Sequence, residues 1–227
     1  MIDQKGWESE VREVYDRIKS HKKSYEINID SLNLAVFPNV FSPHYFTHSL
    51  WFAKTLPEIV KTASLLEIGT GTGIIAIFCA LKGAEVTATD INPQAIKNAK
   101  FNFDKLNLDI PIFLGDIYKP LPKYKKFDFI FWNHPFNKGD DPKEEILLKS
   151  GFDFNYNYLK DYVKDAKNHL TKNGRLLLGS GNFALTKEIE EIGKENNYKI
   201  KILKKTKIPI AASSEIDNEY RIYEFVP

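Results

Sequence analysis

"SLLEIGTGTGIIAIFCALKG", residues 64–83, decides the fold. SLLEIG reads as a short buried strand, and GIIAIFCALKG as a helix closed by Gly83. Between them stand Gly69, Gly71 and Gly73. Glycines at alternate positions let the chain turn tightly and let a ligand come close to the helix N-terminus. The stretch is therefore the opening strand, loop and helix of a βαβ unit, with the loop facing a ligand.

Downstream the alternation continues. EVTATD (85–90) is a strand. Asn92 and Pro93 are an N-cap and first-turn pair that opens a helix over 93–107, with Ile96, Ala99, Phe103 and Leu106 on one face. IPIFLGD (110–116) and FDFIFWN (127–133) are strands. A helix over 157–170 carries Leu159, Tyr162, Val163, Ala166 and Leu170 at three- and four-residue steps. After the turn Lys172-Asn173-Gly174 come a strand (175–181) and a helix (184–197). The last two strands, 198–210 and 220–227, are joined by AASSEIDNE, long enough for a hairpin and too short for a crossover helix. Upstream, residues 7–20 pattern as a helix with Val11, Val14, Tyr15 and Ile18 on one face. Residues 31–46 are strand-like and turn-like, and 47–61 are a helix with Pro57 near its end.

Strands alternating with helices give right-handed crossovers and a parallel sheet. The helix-free final connection makes the last strand antiparallel. The fold class is α/β: a mostly parallel seven-stranded sheet with an antiparallel C-terminal strand. The composition is that of an ordinary globular chain, 43% hydrophobic and 27% charged over 227 residues, with a formal net charge of +2 that argues neither for nor against a nucleic-acid partner. The single Cys79 excludes an internal disulfide framework and fits a reducing compartment. No apolar run approaches the roughly 18 residues of a membrane span. A cytoplasmic protein with no membrane partner is expected.

This layout, with its glycine loop after the first strand, resembles the Rossmann-like class I methyltransferases. The resemblance implies an S-adenosylmethionine-binding domain over 61–227. Residues 1–60 would be a short N-terminal extension acting as lid and substrate platform. Gly71-Thr72-Gly73-Ile74-Ile75-Ala76 also satisfies the dinucleotide pattern, so an NAD-dependent oxidoreductase is a rival, as is a non-catalytic binding module. Asp90, at a strand tip, would accept ribose hydroxyls in either cofactor. Two features favour the methyl donor. Glu67, inside the turn, repels a pyrophosphate and attracts an ammonium. Asp116 closes the third strand, where such enzymes bind the adenine amino group, and Ile117 beside it would pack on the adenine. Thr70 and Ile91 complete the loop and strand-tip set. S-adenosylhomocysteine would be the product, and no metal is required.

The fourth strand ends in Asn133-His134-Pro135-Phe136, at the carboxyl edge where such sheets bind ligands. The segment resembles the Asn-Pro-Pro-Tyr/Phe motif of amino-directed methyltransferases. Carried over by position, Asn133 and the His134 carbonyl would accept the two hydrogens of a planar nitrogen. Pro135 would fix the turn, and Phe136 would stack on the target as an exposed ring. His134 stands where a proline is usual, and a less rigid turn is expected. The wider stretch is similar to HemK-type protein glutamine methyltransferases over roughly residues 40–181. VFSPHYFTHSLWFA and NHPFNKG are similar also to RsmC-type ribosomal RNA guanine methyltransferases. The resemblance implies a protein glutamine amide as the methyl acceptor, with an RNA guanine N2 or a small molecule as the alternatives. Among the aromatic cluster Phe41, Tyr45, Phe46, Trp51 and Phe52, Tyr45, together with Thr47, carries a hydroxyl suited to cofactor contact. His44 and His48 have the i, i+4 spacing of a metal pair but no evident third ligand, so no metal site is assigned.

Overall fold

The computed structural model describes residues 4–139, 145–210 and 217–227. A seven-stranded sheet forms the centre. Its strands are β3 (Ser64–Ile68), β4 (Glu85–Asp90), β5 (Ile112–Leu114), β6 (Phe127–Asn133), β7 (Leu170–Gly181), β8 (Lys199–Pro209) and β9 (Asp217–Val226). Their spatial order is β5-β4-β3-β6-β7-β9-β8. β3 is parallel to β4 and β6, β4 to β5, and β6 to β7. β9 runs antiparallel to both β7 and β8, as the shortness of the connecting sequence requires; residues 211–216 of that connection lie outside the described residues. Phe129, Ile130 and Phe131 on β6 are all buried, which is the continuous apolar pattern of a strand covered on both faces.

The covering helices are α1 (Gln4–Ser20), α2 (Thr47–Val60), α3 (Ile74–Leu81), α4 (Pro93–Lys105), α5 (Asn157–Asp165) and α6 (Thr186–Glu195). Asn92 caps α4, its side-chain oxygen accepting from the Gln94 N–H, with Pro93 in the first turn. α5 stops earlier than the sequence pattern suggests, at a 3-10 turn over Ala166–Asn168. β7 starts earlier, at Leu170. The expected turn at Lys172-Asn173-Gly174 survives inside β7 as a break in register, where Phe127 pairs with Leu170 but Phe129 with Arg175.

Ahead of the sheet, β1 (Tyr25–Ile29) and β2 (Leu32–Val36) form an antiparallel hairpin. Two asparagines of α4 hold it down. Asn102 Oδ1 accepts from the Ala35 N–H at 2.8 Å and Asn98 Oδ1 from the Phe37 N–H at 2.7 Å, while both amide nitrogens donate to the Ala35 carbonyl. The buried stripe of α4 is accordingly Ala95, Asn98, Ala99, Asn102 and Phe103. It is rotated from the expected face of Ile96, Ala99, Phe103 and Leu106, because two of its core positions are polar.

α1 buries Val11, Tyr15 and Ile18. It straps the segment after β6: the Tyr15 hydroxyl bonds Ser150 Oγ at 2.8 Å, Arg12 lies 4.7 Å over the Phe152 ring, and Lys19 pairs with Glu145. Among the described residues no helix is long and apolar enough to cross a membrane.

Candidate active site

The parallel strands end at one edge, and a cleft lies along it. Register sets which residues meet there. Ile68 pairs with Thr89 on one side and Trp132 on the other, Asp90 pairs with Leu114, and Asn133 pairs with Gly179. Glu67, the loop residues Gly69, Thr70, Gly71 and Thr72, Asp90, Ile91, Asp116, Ile117 and the segment Asn133–Phe136 all line the cleft; Gly73, expected beside the cofactor, does not, because it faces the Phe103 ring of α4.

The loop is built around positive φ angles: +66° at Gly69, +58° at Gly71 and +85° at Gly73. A Cβ on Gly73 would sit 2.5 Å from the Phe103 ring, so this glycine lets α4 close on the loop. A Cβ on Gly71 would meet only the Phe41 carbonyl, at 4.0 Å, leaving that face of the loop open. The Gly69 and Thr70 amides donate to the Thr89 carbonyl, fixing the loop to β4. Asn102 Nδ2 donates to the Thr72 carbonyl at 2.9 Å, so the residue that clamps the hairpin also holds the loop.

Glu67 is buried. Its Oε2 accepts from Thr70 Oγ1 at 2.7 Å and from the Ala76 N–H at 3.1 Å; neither bond uses Oε1. Burial pushes the carboxyl up to about 8, against the opposing pull of those two bonds. Asp90 accepts from the Gly71 N–H at 2.9 Å and the Asn92 N–H at 2.8 Å, and burial lifts it to about 6. No cationic side chain contributes to either shift. Two buried carboxyls without a counter-ion suit a ligand that brings positive charge and hydroxyl donors, and disfavour a pyrophosphate. Asp116 instead pairs with exposed Lys119, three residues on. Ile117 has φ +45°, rare for a β-branched residue; strain of this kind concentrates at functional sites.

Across the cleft, Asn133 Oδ1 is buried and has no hydrogen-bond partner. His134 donates its backbone N–H to the Gly179 carbonyl at 3.3 Å, and its ring Nε2 lies 3.0 Å from Ser180 Oγ. These two contacts tie the loop to β7 at the position where a proline is usual. Burial drives the His134 imidazole down to about 3, leaving it neutral. The expectation for Phe136 is corrected: its ring is 6% exposed, packed beside His48, His134 and Tyr220, and presents only part of itself to the cleft. Its carbonyl accepts from the Tyr156 hydroxyl at 2.9 Å.

Two expected contacts lie elsewhere. The Tyr45 hydroxyl is 2.6 Å from His21 Nε2, and Thr47 turns its hydroxyl to the Pro209 carbonyl; neither residue lines the cleft. One residue further along α2, His48 does line it, with Phe41, Phe46 and Ser49. His48 is buried and His44 exposed, so the two do not face a common ion. The N-terminal segment was expected as a lid without its cleft residues being named: Val11 and Tyr15 of α1 line the roof of the cleft with Leu147 and Ser150. The helical period of α1 carried the signal of burial but not of which side chains face the cleft.

The comparisons with known proteins follow this geometry. A model of the methyltransferase small domain family matches residues 31–204. A putative protein N5-glutamine methyltransferase of Methanocaldococcus jannaschii is 32% identical over 188 residues, covering 81% of this chain and 93% of the relative. The ribosomal RNA small subunit methyltransferase C of Photobacterium profundum is 28% identical over 174 residues, 74% of this chain but 47% of its own length. The chain thus spans nearly all of the archaeal relative and about half of the bacterial one. Among solved structures, the T. thermophilus 16S rRNA methyltransferase RsmC, in complex with AdoMet and guanosine, shares the fold with a TM-score of 0.61 at 20% identity. The match covers 90% of this chain and 50% of that one. A methyltransferase from Pyrococcus furiosus matches with a TM-score of 0.64 at 20% identity, over 96% and 98% of the two chains.

Proposed function

The chain belongs to the methyltransferase small domain family and is an S-adenosylmethionine-dependent methyltransferase, and from that premise we propose that it methylates the carboxamide nitrogen of a glutamine in a protein. The observation that carries this reading is Asn133 Oδ1, a buried acceptor without a partner, facing the glycine loop across one cleft. A buried acceptor left unpaired costs about 1–3 kcal/mol, a cost removed when a substrate N–H meets it.

Bound in the cleft, S-adenosylmethionine would supply a methyl group on a cationic sulfur: the nitrogen lone pair would take the carbon, the C–S bond would break to leave a neutral thioether, and the methylated nitrogen, then cationic and acidic, would lose a proton to water. Glu67 would receive the ammonium of the cofactor's amino acid portion, Asp90 the ribose hydroxyls, and Asp116 with Ile117 the adenine. Gly71 leaves room for close approach of the ligand. Asn133 Oδ1 and the His134 carbonyl take the two hydrogens of the acceptor nitrogen. A carboxamide nitrogen is a poor nucleophile because its lone pair is delocalised. Two preorganised acceptors hold it beneath the methyl group and favour its pyramidal form. Residues 1–60 contribute the roof, through α1, and part of the acceptor wall, through α2.

The exocyclic amine of a guanine in RNA is the second reading, since the same paired acceptors serve it and RNA methyltransferases are among the matched relatives. Transfer of tritiated methyl into total cell extract, followed by separate protease and nuclease digestion, tests both. Label released by protease as N5-methylglutamine is expected. Label released only by nuclease, or none in either fraction, would remove the glutamine reading.

A further inference from the structure

His48 lines the cleft, has no part in the roles above, and has a ring nitrogen that its surroundings leave unpaired. It sits in the first turn of α2, 6% exposed, and its Nδ1 has no hydrogen-bond partner. Five aromatic rings surround it: Phe41, Phe46, Phe52, Phe136 and Tyr220, with centroids 5.0 to 6.0 Å away. An aromatic residue would pack there as well, without the penalty of an unmet polar atom. The backbone in front of it is pinned, since Thr47 N–H donates to the Ile210 carbonyl at 3.1 Å. The imidazole is therefore held in position at the cleft wall, 5.1 Å from the ring of Phe136.

Resting on the glutamine reading above, we propose that His48 contacts the methyl acceptor, donating a ring N–H to the carbonyl oxygen of the carboxamide. A carboxamide brings two hydrogens and one oxygen into the cleft. Asn133 and the His134 carbonyl account for the hydrogens. The oxygen, once out of water, needs a donor. A neutral imidazole always carries one N–H, and burial keeps His48 neutral by pulling its pKa down to about 3. Asn133 and Phe136 bring the acceptor to the same wall that His48 lines.

The chemistry also sets which kinetic constant responds. As the nitrogen lone pair leaves the amide π system, the carbonyl oxygen loses negative charge. That oxygen stays a carbonyl acceptor throughout, so the bond weakens but persists in the transition state: its loss raises the acceptor KM, lowers kcat/KM and leaves kcat level or slightly higher. His48 is thus a specificity-determining residue that separates carboxamides from plain amines.

The test uses three variants with S-adenosylhomocysteine binding as the fold control. His48→Phe fills the aromatic cage and removes both nitrogens. His48→Asn and His48→Gln restore a donor at the Nδ1 or Nε2 position. With extract protein as the acceptor, His48→Phe is expected to raise the acceptor KM about tenfold while kcat changes less than about threefold, in line with loss of one buried hydrogen bond. One of the two amide variants is expected to recover most of that loss. A direct readout comes from imidazole nitrogen NMR of the full chain saturated with S-adenosylhomocysteine. N-acetylglutamine methylamide is expected to shift the His48 ring signals. Guanosine shifting them in its place would overturn the carboxamide assignment, and no shift with either probe would overturn the contact. Wild-type enzyme that labels no protein sinks the glutamine reading itself. Wild-type labelling with an unaltered His48→Phe sinks only this inference.

Discussion

At the scale of single residues, the cleft separates groups that are satisfied at rest from groups that are not. Asp90 and Glu67 already hold backbone or hydroxyl partners, whereas Asn133 Oδ1 and His48 Nδ1 hold none. Substituting Asn133 should therefore leave the cofactor site intact. Asn133→Ala is expected to keep S-adenosylhomocysteine affinity by calorimetry and to lose about 3–4 kcal/mol of transition-state stabilisation, a 10²–10³-fold fall in single-turnover rate. Unimpaired turnover would refute its assignment. Gly73 is expected to behave differently. With φ +85° and the Phe103 ring 2.5 Å from a notional Cβ, Gly73→Ala should destabilise the fold by about 1–3 kcal/mol, read as a lowered urea midpoint with unchanged slope. The residues legible from sequence were those whose type has few other uses at their position: the glycines, the strand-tip acids and Asn133. His48 was not legible. Sequence directed attention to the hydroxyls of Tyr45 and Thr47, and one residue along a helix is a rotation of about 100°, enough to turn Thr47 away from the cleft that His48 lines.

At the scale of elements, the boundary between what could and could not be read follows polarity. The strands and helices with apolar stripes were legible, as was the antiparallel β9, because its connection is too short for a crossover. The hairpin β1–β2 and the true face of α4 were not, because their contact is made by Asn98 and Asn102, residues that pattern as surface. Asn102 bonds both main-chain groups of Ala35 and the Thr72 carbonyl, tying hairpin, helix and glycine loop together. Asn102→Leu should therefore cost more than its exposed neighbours would. A loss of about 2–4 kcal/mol in denaturant unfolding is expected, since it strands buried main-chain groups. Faster amide hydrogen exchange at Ala35 and weaker cofactor binding should accompany it, because the loop loses its anchor. Exchange that speeds up at Ala35 with unchanged cofactor affinity would show that the hairpin and the loop are held separately.

At the scale of the whole molecule, the cleft leaves a signature in the pH dependence of stability. His48 and His134 fold with pKa values near 3, below the usual histidine value. Their contribution is fully present above about 6.5 and is lost as pH falls below it, because the unfolded chain then binds protons that the fold refuses. Glu67 runs the other way. Its folded value of about 8 lies above the ordinary 4.5, so its contribution is present at acid pH and is lost as pH rises through 8. Asp90 and Asp153, raised to about 6, complete their loss earlier. Between pH 6.5 and 8 the histidines are flat and Glu67 dominates. Stability of the ligand-free protein should fall across this window, by at most about 1.4 kcal/mol per pH unit for the one proton involved. A bound ammonium favours the Glu67 carboxylate and lowers its pKa, which removes that loss. The rise in Tm produced by saturating S-adenosylhomocysteine should consequently be larger at pH 8 than at pH 6.5, and Glu67→Gln should erase the difference. Equal shifts at the two pH values in the wild-type protein would mean that the ammonium is held by some group other than Glu67. The two buried carboxyls would then owe their place to the architecture of the loop alone.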